Sequence, residues 1–415
     1  MVNANSTYKH TVIACYISYV VQAIVNTISP LLFVVYSERL GLSLLEISIL
    51  ITFNFVIQLT VDLGSTLFVT GLGYRRCVIL AEILATVGLC LMPTLTVLMP
   101  SKFLALLISS TIMCSGGGLI EVIVSPIVEA IPGEKKASDM SILHSFYCWG
   151  QVIVILITTV YLTVFGIESW SFLPLIFALF PIAAGIMFIF VPVNQLDGDG
   201  KSYGFSHLRR QNGFFAMVVI MVAAGASEVA IAQWASLFTE KGLGISKSLG
   251  DLLGPCAFAV AMGLSRVIFG KYASRIRLEK WIFASFALCI ASYLITVFST
   301  LPALSFFGFT LCGVSVAILW PGTYSLGAQF IPSGGTLMFA FFAFSGDLGC
   351  TLGPDLIGIV SDFVVKNGSS VFSFLKGDVT AIALKMGILT ALVFPTTGLI
   401  ASAVLIKKMN KSRNE

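Results

Sequence analysis

CSGGGLIEVIVSPIVEAIPGEKK, residues 114–136, is greasy enough to lie in a bilayer, yet it carries Glu121 in its interior and Glu129 two turns later. The apolar run around it, about residues 103–131, exceeds the roughly 20 residues a helix needs to cross a hydrocarbon core. If this helix runs inward and ends near Ile131, Glu121 lies about ten residues, or roughly 15 Å, above the cytoplasmic surface. That is too deep for a side chain to snorkel out. A charge at the centre of a membrane helix costs about 2.5–3.5 kcal/mol, so such a residue normally faces the protein interior or water. The glycines at 116–118 and the Ser125-Pro126 step allow close backbone approach and a bend. Glu121 is therefore expected to serve proton exchange or a buried hydrogen bond. Glu129, nearer the end, suits a structural or gating contact.

The rest of the chain has the same character. Of its 415 residues 57% are hydrophobic and 11% charged, with mean hydropathy +0.98. A soluble domain carries roughly 25% charged residues. Twelve runs are long enough to span: about 11–36, 44–70, 77–98, 103–131, 141–166, 170–193, 214–239, 249–270, 280–299, 303–330, 336–364 and 380–406. The longest polar gap, VNQLDGDGKSYGFSHLRRQNG (193–213), divides them six and six. The expectation is an all-α membrane protein of twelve transmembrane helices in two six-helix bundles, residues 1–192 and 214–415, joined by a cytoplasmic linker.

Lys and Arg set the orientation. With the N-terminus inside, inner loops hold Lys9, Arg75, Arg76, Lys135, Lys136, Lys201, Arg209, Arg210, Lys271, Arg275, Arg277, Lys280, Lys407, Lys408, Lys411 and Arg413. Outer loops hold only Arg39, Lys102, Lys241, Lys247, Lys366 and Lys376. Both termini are therefore expected in the cytoplasm, and the chain in the cytoplasmic (inner) cell membrane. The polar start MVNANSTYKH before a full-length span argues for a retained first helix rather than a cleaved signal. The nine cysteines are scattered singly and suggest neither disulfides nor a zinc site. No Walker A loop, H-E-x-x-H or G-x-S-x-G is present, so the sequence supports no ATP motor or enzyme and implies no cofactor. The net charge of +4 reflects basic loops and gives no nucleic-acid surface.

The two halves echo each other. GLGYRR (71–76) follows the second span, and GKYASRIRLEK (270–280) follows the eighth. Here the chain resembles the major facilitator superfamily, whose halves carry a G-x-x-x-D-R-x-G-R-R-like motif at this turn. Gly73, Arg75 and Arg76 match in the first copy, and Gly270, Lys271 and Arg275 in the second. Thr70 and Ser274 stand at the family's Asp position. LIEVIVSP (119–126) and SILHSFYCWG (141–150) resemble the fourth and fifth helices of the fucose permease type of sugar transporter. That branch places a Glu in the central cavity, linked to sugar binding and proton coupling, and Glu121 occupies its position. The branch also has an Asp four residues before a Pro in the first span; NTISP puts Asn26 there. GASEVAIAQWASLFTE (225–240), ILWPGTYSLGAQF (318–330) and SGDLGCTLGPDLIGIVSD (345–362) resemble its seventh, tenth and eleventh spans.

The resemblance implies a secondary transporter with a mid-membrane site, served by alternating access. The residue inventory suits a polyhydroxylated solute: amides and carboxylates pair with hydroxyls, and aromatic rings cover a sugar's apolar face. Candidate binding and coupling residues are Gln22, Asn26, Glu121, His144, Tyr147, Glu228, Gln233, Trp234, Trp320 and Tyr324. Candidate gating residues are Arg75, Arg76, Arg266, Lys271, Arg275, Asp62 and Asp347, with Arg266 the counter-ion of an unidentified acid. No metal is implied, and the coupling ion is a proton. The partners expected are a small-molecule substrate and the lipid bilayer, with the chain acting as a monomer. Two other readings stay open: an exporter of drugs or metabolites on the same fold, and a non-transporting membrane receptor.

Overall fold

A computed structural model describes residues 4–42, 44–196, 204–238, 252–299, 301–371 and 379–414. Lys201, Lys241, Lys247 and Lys376 of the charge count lie outside these residues. Among the described residues the regular structure is helical throughout. Eleven helices are long and apolar enough to cross a membrane, with no strand among them. The remaining expected span is the helix Ala257–Tyr272, preceded by a π-helical turn over Leu252–Cys256. Pro255 lies in that turn. It lacks an N–H and disturbs the regular i→i−4 ladder there. The chain is an integral, multi-pass membrane protein, and its described residues hold these eleven spans and the shorter helix Ala257–Tyr272 in the expected order.

The first five spans are Ala4–Leu31, Leu44–Leu72, Tyr74–Leu98, Lys102–Glu129 and Lys136–Phe165. The sixth is made of Phe172–Phe177 and Leu179–Phe190. The seventh is Phe214–Leu237 and the ninth Leu278–Phe298. Pro302–Val316 and Leu319–Phe330 form the tenth, Gly335–Val371 the eleventh, and Val379–Thr390 with Val393–Asn414 the twelfth.

By contacts the chain forms two compact units, one of 1–205 with 332–344 and one of 206–331 with 345–415. The sequence boundary at 193–213 holds the first crossing point. The second crossing falls inside the eleventh span, whose opening turns belong to the first unit. Tyr74 Oη lies 2.7 Å from Thr336 Oγ1 in a buried pair, and the rings of Phe205 and Phe341 stand 4.9 Å apart. Sequence order alone could not assign those turns.

Three successive glycines organise the first unit. Successive residues on a helix point about 100° apart, so Gly116, Gly117 and Gly118 of the fourth span face three neighbours. A Cβ at Gly116 would come within 2.5 Å of the Ala81 carbonyl oxygen on the third span. At Gly117 it would meet Val25 Cγ1 of the first at 2.9 Å, and at Gly118 Val61 of the second at 3.2 Å. The missing side chains let three helices close around the fourth, just before Glu121. Small residues are the standard way to bring membrane helices together, since lipid offers no hydrophobic gain for their contact.

The second unit uses the same device between its seventh and eleventh spans. A Cβ at Gly353 would stand 2.6 Å from the Ala226 carbonyl oxygen, and Gly225, Gly346 and Gly349 lie in equally close contact. All nine cysteines are free thiols, eight of them buried.

Candidate functional site

The polar residues of the first unit sit on helical stripes. Tyr19, Gln22 and Asn26 are spaced three and four apart on the first span, as are His144, Tyr147 and Gln151 on the fifth. Glu121 and Ser125 are one turn apart on the fourth, and Asn54 and Gln58 on the second. Side chains at such spacings share one helix face.

These faces meet. The amide Nε2 of Gln22 donates to Oε2 of Glu121. Gln58 Nε2 donates to Asn26 Oδ1 at 3.0 Å, and Asn26 Nδ2 donates to the Tyr147 hydroxyl at 3.3 Å. Gln151 Nε2 reaches the same hydroxyl at 3.4 Å. One turn nearer the carboxyl end of the fourth span, the Tyr19 hydroxyl lies 2.7 Å from Ser125 Oγ and 3.1 Å from His144 Nε2. The side-chain carbonyls of Gln22 and Asn54 are buried with no partner among the described residues. Gln22, Asn26, Glu121, His144 and Tyr147 thus lie in three hydrogen-bonded groups on facing helices, together with Tyr19, Gln58, Ser125 and Gln151. Their signal was the three-and-four spacing itself, which marks each added residue as a turn-neighbour of one already chosen.

Together these groups combine a carboxyl with four amides, two phenols, an imidazole and a hydroxyl. They can offer donors and acceptors in pairs, as a polyhydroxylated molecule requires. Glu121 and Asn26 are half-buried, whereas Gln22 and His144 are 3% and 5% exposed.

A different carboxyl, Glu82 of the third span, is 1% exposed and lies 2.6 Å from Ser18 Oγ on the first.

In the second unit Arg266 finds its acid. Its Nη2 lies 3.5 Å from Glu228 Oε2, and the two side chains are 3% and 11% exposed. Its Nε donates to the Ala317 carbonyl at 2.9 Å. Pro321 explains that second bond. A proline at 321 has no N–H to give the carbonyl four residues back, so the tenth span breaks at Ala317 and Arg266 takes the released acceptor. Glu228 is therefore held in an ion pair on the seventh span.

The two indoles pack on glycines of the eleventh span. Trp320 covers Gly346, and its ring centroid is 6.4 Å from that of the buried Tyr324. Trp234 lies against Gly358 and donates Nε1–H to the Pro354 carbonyl at 3.1 Å. Gln233, beside Trp234, is exposed.

The expected gating residues fall into three groups. Arg75 donates to the carbonyls of Phe188, Ile189 and Val191, at 3.3, 2.7 and 2.7 Å, and so caps the carboxyl end of the sixth span. Arg76, Lys271 and Arg275 are exposed, and among the described residues neither they nor Arg75 form an ion pair. Asp62 and Asp347 are buried, 0% and 6% exposed, inside the first and second units.

Solved structures share this architecture. FucP, a major facilitator transporter captured in an outward conformation, superposes with a TM-score of 0.76 at 14% identity, covering 94% of this chain and 99% of its own. A variant of the E. coli fucose:proton symporter FucP gives 0.74 at 15% identity over 94% and 99%. The proton:xylose symporter XylE, bound to 6-bromo-6-deoxy-D-glucose, gives 0.74 at 12% identity over 97% and 96%. At such identities the likeness establishes the fold. No curated protein matches the sequence. The description Major Facilitator Superfamily, by contrast, matches residues 15–354, most of the chain. On sequence and on fold together, this protein belongs to the Major Facilitator Superfamily.

Proposed function

We propose that this protein moves a sugar, or a related small polyhydroxylated solute, across the cytoplasmic membrane by alternating access, with Glu121 carrying the coupled proton. One observation carries the reading. A carboxyl deep in a membrane span lies among amides and hydroxyls from four helices, joined directly to the Gln22 amide. The solved structures named for proton symport of fucose and xylose support it as fold relatives. In this reading Gln22, Asn26, Glu121, His144 and Tyr147 face the solute from the first unit. Trp234, Trp320 and Tyr324 remain the aromatic candidates within the second unit, where Glu228 is held by Arg266. The chain acts as a monomer with both termini in the cytoplasm, and it needs no cofactor besides the proton.

The test is transport in proteoliposomes with L-fucose, D-xylose and D-glucose. Wild type should take up at least one of them with a matching alkalinisation outside. Glu121→Gln should keep sugar exchange between the two faces and lose uphill, proton-driven accumulation. Proton-driven accumulation that survives in Glu121→Gln would move the coupling to another group. An absence of sugar exchange in folded wild type would remove the sugar assignment.

A further inference from the structure

The Gln22 amide is used at only one end. Its Nε2 donates to Glu121, while its carbonyl oxygen Oε1 is buried without a partner among the described residues, on a side chain 3% exposed. A buried carbonyl normally finds a donor, and Glu121 is the residue that can bring one. An ionised carboxylate only accepts, so it can take the amide N–H and leave Oε1 unserved. A protonated carboxyl has one O–H to donate and a carbonyl still able to accept. A carboxylic acid and a primary amide can then close a cyclic pair, O–H to amide carbonyl and N–H to acid carbonyl. Both ends of the Gln22 side chain are satisfied at once, and the only added atom is the proton taken from water.

We propose that Gln22 is the positioning residue for the coupling proton: its unpartnered carbonyl accepts the hydrogen bond from the Glu121 carboxyl once that group is protonated. The inference deepens the role assigned to Glu121 above and rests on it. The other titratable groups on the packed spans have contacts of their own. Tyr19 on the first span and His144 on the fifth meet Ser125, Tyr147 accepts from Asn26 and Gln151, and Glu82 on the third meets Ser18. Asp62 lies on the second span a turn beyond Gln58. The Gln22 amide is in hydrogen-bond contact with Glu121, and it arrives from a helix that the Gly117–Val25 contact holds close.

Infrared difference spectroscopy between high and low pH reads the pair without any solute. Purified full-length protein is compared as wild type, Glu121→Gln and Gln22→Met, with isotope-labelled glutamine to mark the side-chain amide. Wild type should show a protonated-carboxyl band that vanishes in Glu121→Gln. An amide-carbonyl band of Gln22 should shift on the same titration. In Gln22→Met the carboxyl band should persist but move to the position of an acid donating no strong hydrogen bond. Gln22→Asn, one methylene short, should resemble Gln22→Met, which covers the case in which the methionine variant misfolds. A Glu121 carboxyl band with no titrating amide band overturns the role of Gln22 and leaves proton binding by Glu121 intact. Absence of any Glu121 carboxyl band overturns both, and the sugar exchange assay then stands or falls separately.

Discussion

Arg266 joins Glu228 at 3.5 Å inside the second unit, and the same guanidinium binds the Ala317 carbonyl that Pro321 leaves without a helical donor. One side chain thus neutralises a buried acid on the seventh span and seals a break in the tenth. Removing one partner of a buried pair leaves the other charge uncompensated, typically at about 3–5 kcal/mol. Arg266→Met should therefore lower thermal stability sharply. Glu228→Gln with Arg266→Met should recover a large part of the loss. Arg266→Lys should rescue poorly, because an ammonium lacks the fork that serves carboxylate and carbonyl together. A melting series in detergent measures this, and equal melting of Arg266→Met and wild type would remove the pair as a structural element.

Gly346 and Trp320 make a second dependence. A methyl group at Gly346 would enter the indole ring. Overpacking of this kind typically costs about 1–3 kcal/mol. Gly346→Ala should be destabilised and Gly346→Ala with Trp320→Phe should regain most of the loss, since the smaller ring clears the added methyl. Thermal unfolding of the two variants and of Trp320→Phe alone gives the coupling directly.

Arg75 offers a case where a motif residue has a local task. It binds three carbonyls at the end of the sixth span, satisfying acceptors that every helix leaves open there. Cations also interact favourably with the partial negative charge at that end. The side chain is exposed, so the expected loss in Arg75→Met is about 1 kcal/mol. Arg75→Lys should retain part of it. Raised protease sensitivity near residues 188–196 in Arg75→Met would report the loosened cap.

The fold was largely legible in sequence, because hydrophobic run length is a local property and backbone polar groups in lipid leave helices as the natural solution. The eighth span shows the limit of that reading, since Pro255 winds its start as a π-turn that run length cannot reveal. Within the first unit, Glu121 was conspicuous as a carboxyl in an apolar run. Tyr19 and Ser125 were not, because a tyrosine or a serine attracts less notice singly than as a turn-neighbour of Gln22 or Glu121. The acid facing Arg266 lies 38 residues away on another helix, and such pairings depend on packing rather than on pattern. The placement of Trp234 on Gly358 is non-local in the same way, 120 residues from the Pro354 carbonyl that it bonds.

The Gln58–Asn26–Tyr147 chain supplies a last prediction, and it depends on the proposed sugar site. Asn26 receives an N–H from Gln58 on its carbonyl and gives its own N–H to Tyr147, so Gln58 fixes which way the amide points. Gln58→Leu removes that restraint without touching Asn26, Tyr147 or Glu121. Loss of a hydrogen bond of this type costs about 1 kcal/mol, equivalent to roughly fivefold in affinity. The half-saturation concentration for the transported sugar should rise by that factor in counterflow, with the maximal rate close to wild type. Gln58→Glu offers the opposite polarity: its carboxylate accepts, so Asn26 would turn its N–H toward residue 58 and its carbonyl toward the Tyr147 hydroxyl. The ranking of deoxy and fluoro sugar analogues should then change, because a fluorine accepts and cannot donate. An unchanged half-saturation in folded Gln58→Leu, with an unchanged analogue ranking in Gln58→Glu, would place the amide chain in the helix packing rather than at the solute.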